Sequence, residues 1–186
     1  MSTHHIGQGT IQLVRGDIVH QQVDAIVNAA NSQLSGGGGV DGAIHRAAGP
    51  HLLQWCQEIT PNDNGDRCPT AEVRITEAGN LPARWVIHAV GPIYDEKQHD
   101  QVSEQLRSVH WRALQAAADL GCQSIAFPAI STGVYRFPVA LAAPVVLQVA
   151  CEFLLQHKVP HDIRWILFND SHWQVFQQAL KKITTG

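Results

Sequence analysis

Short apolar runs alternate along this chain with longer stretches that have helical periodicity, and this alternation limits the folds open to it. The runs are rich in β-branched residues and apolar on both faces, as buried strands are. They are Thr10–Val14, Val23–Asn28, Val73–Thr76, Trp85–Val90, Ser124–Phe127 and Ile163–Phe168. Strands of this kind, joined through helices, predict an α/β fold: a three-layer α/β/α sandwich around a mainly parallel mixed sheet.

Three stretches carry the strongest helix signals. Ser103–Leu120 has an apolar stripe and ends before Gly121, a residue type common at helix C-termini. Val139–His157 predicts a second helix, and Ser171–Ile183 predicts a third that begins with a capping box of Ser171 and Gln174. In such a fold, ligands bind at the carboxyl ends of the parallel strands.

Size and composition predict one folded domain. The chain has 186 residues, of which 45% are hydrophobic and 16% charged, and this composition excludes disorder over most of its length. We expect a flexible N-terminal segment over residues 1–9 and a single domain over residues 10–186. The net charge of −3 offers no basic field to a nucleic-acid backbone, which argues against nucleic-acid partners.

The spacing of the cysteines and the length of the apolar stretches indicate whether the chain holds a metal, crosses a membrane or is exported. The four cysteines lie far apart, never in the spacing of redox pairs or zinc sites, so we predict buried or free thiols and no metal site. The longest apolar stretch, Val139–Ala150, is interrupted by Pro144 and Gln148, and we predict that it is too short to span a bilayer. Because the N-terminus has no apolar signal region, the expected location is the cytoplasm.

Four consecutive glycines, Gly36–Gly39, follow the strand that ends at Asn28 and precede a helical stretch. Gly runs often form flexible connectors, but a backbone that approaches a ligand closely explains glycines better between a strand and a helix. Gly37, Gly39 and Gly42 also match the dinucleotide fingerprint, although the run lies too far from the strand and lacks the later acidic residue. A P-loop is excluded because no Gly-Lys-Ser or Gly-Lys-Thr follows the glycines.

A second loop with similar chemistry follows the strand Ser124–Phe127. Its residues Ser131, Thr132 and Gly133 precede a helix, and they predict either a capped turn or a site for an anion such as a diphosphate. Two glycine-containing loops at the carboxyl edge of one small sheet favour the second interpretation, because together they can enclose one ligand.

Polar residues flank the glycine run. Asn31 precedes it, Asp41 follows it, and His45 lies four residues after Asp41 on the same helical face. Asp41 is either a helix N-cap or a carboxylate that binds ribose hydroxyls and orients a water beside the Asn31 amide. His45 is either a structural histidine or a catalytic base.

Two further residues stand at strand ends. Asp17 follows the first strand, where it can cap a turn or accept a hydrogen bond from an adenine amino group. Phe168 ends the last strand, where base rates favour a core residue but an aromatic ring can also stack on a base.

Together these segments resemble macrodomains of the MacroD type, in the order and spacing of that family from about Thr10 to the C-terminus. The matching blocks are Gly16–Ile18, Val23–Asn31, Gly36–Pro50, Val86–Pro92 and Phe127–Tyr135. The resemblance implies an ADP-ribose-binding α/β/α fold. It also implies hydrolysis of ADP-ribose esters without a cofactor: removal of mono-ADP-ribose from acidic side chains of proteins, and deacetylation of O-acetyl-ADP-ribose.

The resemblance also assigns roles to residues. Asp17 and Ile18 would hold the adenine, with Phe168 packed near it, and Tyr135 would brace the distal ribose, which Asn31 and Asp41 surround. The diphosphate would lie against the backbone of two segments, namely Gly37, Gly38, Gly39 and Val40, and Ser131, Thr132, Gly133, Val134 and Tyr135. A water would attack the ester, with Asp41 or a phosphate oxygen accepting its proton, and His45 is a further catalytic candidate.

Other functions stay open at this stage. A non-catalytic ADP-ribose reader and a regulatory, RNA-associated binding module could use the same cleft, although Asn31, Asp41 and His45 together favour the hydrolase. The chain departs from the family pattern at Arg136 and Ala71, where glycines are usual, and at Val73, where alanine is usual. We expect Arg136 to cover the site or reach a phosphate, and the other two changes to tighten local packing.

Overall fold

The computed structural model describes residues 2–185 and shows one mixed sheet between two layers of helices. The strands are β1 (Ser2–Ile6), β2 (Gly9–Arg15), β3 (Ala25–Ala29), β4 (Val73–Glu77), β5 (Trp85–Ala89), β6 (Ser124–Phe127) and β7 (Asp162–Leu167). The helices are α1 (Gly39–Ala48), α2 (Pro50–Glu58), α3 (His99–Asp119), α4 (Val139–Gln156) and α5 (Asp170–Thr185), with short 3-10 turns at Ile18–His20 and Glu96–Gln98.

The sheet has the order β1-β2-β7-β6-β3-β5-β4. The five central strands are parallel, and the two edge strands, β1 and β4, run antiparallel to their neighbours. This arrangement confirms the predicted mainly parallel, mixed sheet. It also brings the carboxyl ends of β2, β7, β6, β3 and β5 to a single edge.

The two faces of the sheet carry separate cores. Along β7, Trp165 points into the larger core, which α3, α4 and α5 cover, while Ile166 points into the smaller core under α1 and α2. The Trp165 ring stacks on Phe127 at a centroid distance of 5.2 Å, and both side chains are almost fully buried. Burial of a large apolar side chain stabilises a fold by about 1.5–3 kcal/mol, so these layers hold the strand ends rigidly in place.

Three elements differ from the sequence-based expectations. Residues 2–6 form the edge strand β1, paired with β2, where a flexible segment was expected over residues 1–9; residue 1 lies outside the described residues. Helix α2 was not predicted, and it begins at Pro50 directly after Gly49, whose φ of 85° turns the chain. Asn169, rather than Ser171, caps α5, because its Oδ1 accepts from the His172 N–H at 2.8 Å.

Helix α4 ends at Gln156, one residue before the end of the predicted helix, and extends beyond the apolar stretch Val139–Ala150. It has 18 residues and a mean hydropathy of 1.8, enough by length and composition to cross a membrane, which differs from the expectation that this stretch is too short. Half of it is buried inside the protein, where it packs against α3 and α5 in the larger core. Its apolar composition is that of a core helix.

The start of β3 is tied to the start of β6 by Asp24. Its Oδ2 accepts from the N–H of Gln123 at 2.8 Å, and from the N–H and hydroxyl of Ser124 at 3.0 and 3.1 Å. Burial alone would raise the pKa of Asp24, but these hydrogen bonds and nearby Arg84 together lower it. The charged form therefore stabilises the folded protein.

We expect the free energy of unfolding to depend on pH in the acidic range through the Asp24 carboxylate. A lowered pKa in the folded state contributes stability that is present above the unfolded pKa of about 3.9 and is lost as the pH falls through the folded value. Asp24→Asn is expected to lower the free energy of unfolding by about 1–3 kcal/mol at pH 7 and to flatten its decline below pH 4. Urea denaturation across pH 3–7 measures both, with Asp63→Asn in an exposed loop as the control; equal curves for the two variants would contradict this account.

Candidate functional site

A cleft of about 760 Å³ opens at the carboxyl edge of the sheet, a size that suits a nucleotide-like ligand. Its walls come from the ends of β2, β3, β6 and β7 and from the loops that follow them. All the predicted site residues line it except His45. They are Asp17, Ile18, Asn31, Gly37, Gly38, Gly39, Val40, Asp41, Ser131, Thr132, Gly133, Val134, Tyr135 and Phe168.

The glycine run is part of an ordered junction between β3 and α1. Gly38 is the N-cap residue of α1, so the following N–H groups belong to the first helical turn, where no intrahelical acceptor exists. The loop packs closely on the helix: a Cβ on Gly42 would lie 2.4 Å from the carbonyl oxygen of Gly37. Asn31 braces the loop by donating to the Gly36 carbonyl at 2.8 Å. These donors, at the positive end of a helix dipole, suit an anion.

Asp41 lies on the first turn of α1 with only 6% of its surface exposed. It is not the N-cap. Its Oδ1 accepts from Asn28 Nδ2 at 2.7 Å, and its Oδ2 faces Gly37, where a Cβ would lie 3.1 Å away. One oxygen is thus held from inside the protein while the other borders the cleft.

His45 lies behind Asp41 rather than in the wall of the cleft. Its Nε2 is 3.4 Å from Asp41 Oδ1, and its side chain is largely buried. This position is suited to supporting the Asp41 carboxylate and not to direct contact with a ligand in the cleft.

The second loop, residues 128–138, is held by hydrogen bonds within the loop and by one from Tyr94. Thr132 Oγ1 donates to the Ala129 carbonyl at 2.8 Å, the Tyr135 carbonyl accepts from the Tyr94 N–H at 2.8 Å, and the Ser131 carbonyl accepts from the Phe137 N–H at 3.0 Å. Ser131 Oγ is buried and has no partner among the described residues. Burial and the nearby Asp41 raise the pKa of Tyr135, so its phenol remains a hydrogen-bond donor near neutral pH.

Asp17 and Phe168 form the opposite end of the cleft. Asp17 does cap a turn, accepting from the Val19 N–H at 3.2 Å through Oδ1, but a carboxylate has a second oxygen that can accept from a ligand. Phe168 is 87% exposed, which excludes the core alternative and leaves the ring available for stacking, the other interpretation. Arg15 reinforces this end through a 2.7 Å ion pair with Asp170 and a contact 4.4 Å above Trp173.

Buried polar side chains behind the cleft were not predicted as site residues. Asn28, Thr76 and His88 lie inside strands β3, β4 and β5 and are almost fully buried. Burial, together with His45, lowers the pKa of His88 to about 3, so its ring is neutral. The only sequence signal for these residues is a polar side chain inside an otherwise apolar strand.

Comparison with known proteins identifies the family. The Macro domain model matches residues 27–146, which is more than half of the chain. This chain belongs to the macro domain family. The match covers the end of β3, both glycine-containing loops and the start of α4.

Individual macro domain proteins are similar over most of their length. A macro domain-containing protein of Vibrio parahaemolyticus is 51% identical over 170 residues, or 91% of this chain and 96% of that protein. The O-acetyl-ADP-ribose deacetylase of Escherichia fergusonii is 46% identical, over 91% of this chain and 94% of that protein.

Solved macrodomain structures agree in fold. A structure titled as the Oceanobacillus iheyensis macrodomain with ADP superposes with a TM-score of 0.93 at 43% identity, covering 98% of this chain and 96% of that one. The Trypanosoma brucei macrodomain in complex with ADP-ribose superposes with a TM-score of 0.81 at 37% identity, covering 91% and 68%.

Two departures from the macro domain pattern lie at positions where the backbone conformation explains why glycine is usual. Arg136 has a φ of 57° and Ala71 a φ of 67°, both in the left-handed region that favours glycine. Arg136 is exposed and does not line the cleft, so it does not cover the site as expected. Both positions therefore carry backbone strain where a glycine would carry none.

We expect Arg136→Gly and Ala71→Gly to stabilise this macro domain. A left-handed non-glycine residue costs about 1–2 kcal/mol, which exceeds the roughly 0.5–1 kcal/mol that glycine loses in chain entropy. The net gain of about 0.5–1 kcal/mol should raise the melting temperature of each variant by about 1–4 °C, measured by calorimetry. The same change at Ala140, an exposed helical residue of α4, should lower it; a lower melting temperature for Arg136→Gly would contradict the strain argument.

Proposed function

We propose that this macro domain binds ADP-ribose along the cleft. The adenine would lie at the end formed by Asp17, Ile18 and Phe168, and the distal ribose at the end formed by Asn31 and Asp41. The two loops between these ends supply backbone donors for the diphosphate. The solved Trypanosoma brucei relative, titled as a complex with ADP-ribose, supports this ligand.

Backbone donors explain how a chain of net charge −3 can bind a dianion. The first turn of α1 and the second loop present N–H groups that carry partial positive charge and do not depend on lysine or arginine. A hydrogen bond to a charged group contributes about 1.5–3 kcal/mol. Several such bonds are therefore enough to overcome the unfavourable net charge.

We propose further that the protein hydrolyses ADP-ribose esters, removing mono-ADP-ribose from acidic side chains of proteins and the acetyl group from O-acetyl-ADP-ribose. The observation that carries this proposal is the Asp41 carboxylate, held from behind by Asn28 and bordering the glycine loop. A reader that only binds has no need of a buried carboxylate fixed in this way. The similarity to the Escherichia fergusonii deacetylase supports the second substrate.

In the proposed reaction, a water held between the diphosphate and the distal ribose attacks the ester carbonyl carbon. Asp41 accepts a proton from that water, the bond between the carbonyl carbon and the ribose oxygen breaks, and the ribose oxygen takes up the proton. The products are ADP-ribose and the free acid. A phosphate oxygen of the substrate is the other candidate proton acceptor.

One experiment separates the candidate functions. The protein is incubated with a carboxyl-linked mono-ADP-ribosylated protein and with O-acetyl-ADP-ribose, and free ADP-ribose is measured by chromatography, while calorimetry measures binding of ADP-ribose. Release from either substrate supports the hydrolase. Binding without release indicates a reader, and no heat of binding contradicts both proposals.

We also propose a cytoplasmic location. All four cysteines are buried free thiols, which is compatible with a reducing compartment.

A further inference from the structure

A row of buried polar side chains extends from Asp41 away from the cleft, across three neighbouring strands. Asn28 on β3 is paired in register with His88 on β5, and Thr76 lies on β4, the next strand. None of the three lines the cleft. Buried polar groups of this kind are costly unless each is hydrogen-bonded, so their presence behind the site requires an explanation.

Hydrogen bonding assigns a donor and an acceptor to each contact in this row. The Thr76 hydroxyl donates to the Glu77 carbonyl at 3.0 Å, so its oxygen accepts from His88 Nε2, also at 3.0 Å. Cys56 Sγ, 3.6 Å from the same nitrogen, is a second and weaker acceptor. With its proton on Nε2, the neutral ring has an acceptor at Nδ1. Asn28 Nδ2 lies 3.2 Å from that acceptor.

The same amide nitrogen completes the row at Asp41. Asn28 Nδ2 carries two hydrogens, and the second points at Asp41 Oδ1, 2.7 Å away. A flipped amide would place its oxygen against the carboxylate and against the His88 acceptor. The orientation is therefore fixed even though Asn28 Oδ1 is left buried without a partner among the described residues.

A metal ion is an alternative use of part of this cluster. His45, Cys56 and His88 offer ligand atoms within 4.8 Å of one another. However, burial raises the pKa of the Cys56 thiol to about 12, and His88 Nε2 already contacts Thr76 Oγ1 at 3.0 Å and Cys56 Sγ at 3.6 Å. Protonated donors of this kind suit a hydrogen-bonded network better than a metal site.

We propose that Asn28, His88 and Thr76 are positioning residues that hold the Asp41 carboxylate with its Oδ2 directed at the cleft. This inference rests on the proposed hydrolase function. Oδ1 is engaged by the Asn28 amide, which leaves Oδ2, beside Gly37, to accept the proton from water.

Thr76 allows the sharpest test, because it lies three hydrogen bonds from the cleft side of Asp41. Thr76→Val keeps the shape of the side chain and removes the acceptor for His88, whereas Thr76→Ser keeps the hydroxyl. We expect Thr76→Val to lower kcat about tenfold and Asn28→Ala up to about a hundredfold, with the calorimetric Kd for ADP-ribose unchanged. Thr76→Ser should restore kcat.

Nitrogen-15 NMR of the His88 ring shows which ring nitrogen carries the proton, and so tests the assigned hydrogen bonds without relying on activity. The neutral tautomer with the proton on Nε2 is expected between pH 5 and 8 in the wild type. A proton on Nδ1, or unchanged kcat in both Thr76→Val and Asn28→Ala, would overturn the positioning proposal while leaving the hydrolase in place. Failure of the wild type to release ADP-ribose from either substrate would instead overturn the proposed function, and the positioning role with it.

Discussion

Asp41→Asn is expected to lower kcat by about 10²–10⁴-fold, the usual contribution of a positioned general base, while the Kd for ADP-ribose changes little. Asparagine has nearly the same shape as aspartate, and its amide oxygen can still accept from Asn28 Nδ2, as Asp41 Oδ1 does now at 2.7 Å. The group that would face Gly37 is then an amide nitrogen, which cannot accept a proton from water. Steady-state release of ADP-ribose and calorimetry measure the two quantities.

Asp17→Asn is the matched control, because it makes the same chemical change at the opposite end of the cleft. There we expect a higher Kd and KM, from the loss of an acceptor for the adenine amino group, with kcat retained at saturating substrate. If Asp41→Asn retained its turnover, a phosphate oxygen of the substrate would be the proton acceptor. Asp41 would then act only in binding.

Most of the architecture could be predicted because burial on both faces leaves a direct pattern in a strand. The edge strand β1 could not, since its Ser-Thr-His-His sequence has little apolar character. Its order comes from backbone pairing with β2, from Ser2 opposite Leu13 to Ile6 opposite Gly9. Pairing of this kind depends on the partner strand and cannot be predicted from the composition of the edge strand itself.

The cleft residues could be predicted because each follows a parallel strand, and parallel strands bring their carboxyl ends together. The row behind Asp41 could not. Asn28 and His88 are 60 residues apart, and they meet only because β3 and β5 pair in the register that places them opposite each other. Register is a tertiary property, so the sequence alone indicated two polar residues in two strands and not their contact.

Phe168 shows a related limit. Base rates for aromatic residues favoured the core, yet β7 ends at Leu167, one residue earlier. The sheet pairing between β2 and β7 also ends there, with Arg15 opposite Leu167. Phe168 therefore lies beyond the paired part of the sheet, and its exposed ring borders the cleft.

Gly42→Ala is expected to weaken ADP-ribose binding about tenfold or more, because it moves the glycine loop without touching the ligand. A Cβ at this position would lie 2.4 Å from the Gly37 carbonyl oxygen, so the loop must shift away from α1. The donors for the diphosphate shift with it, and loss of one hydrogen bond to a charged group is worth about 1.5–3 kcal/mol, or roughly a tenfold change for each 1.4 kcal/mol. The free energy of unfolding should change less than the free energy of binding. Overpacking costs about 1–3 kcal/mol, but alanine regains up to about 1 kcal/mol in a helix.

Gly79→Ala is the matched control. Gly79 lies between β4 and β5 and packs against the C-terminal end of α1, the same helix whose first turn contains Gly42. A Cβ there would lie 2.2 Å from the carbonyl oxygen of Ala48, the last residue of α1, and the φ of 60° adds strain with no gain in helix propensity. This variant should lose more stability than Gly42→Ala and yet keep its affinity for ADP-ribose, because Gly79 lies outside the cleft. Calorimetric titration below both melting temperatures measures the contrast. Equal affinities for the two variants would mean that the contact between Gly37 and Gly42 does not position the donors, and that the diphosphate is held elsewhere.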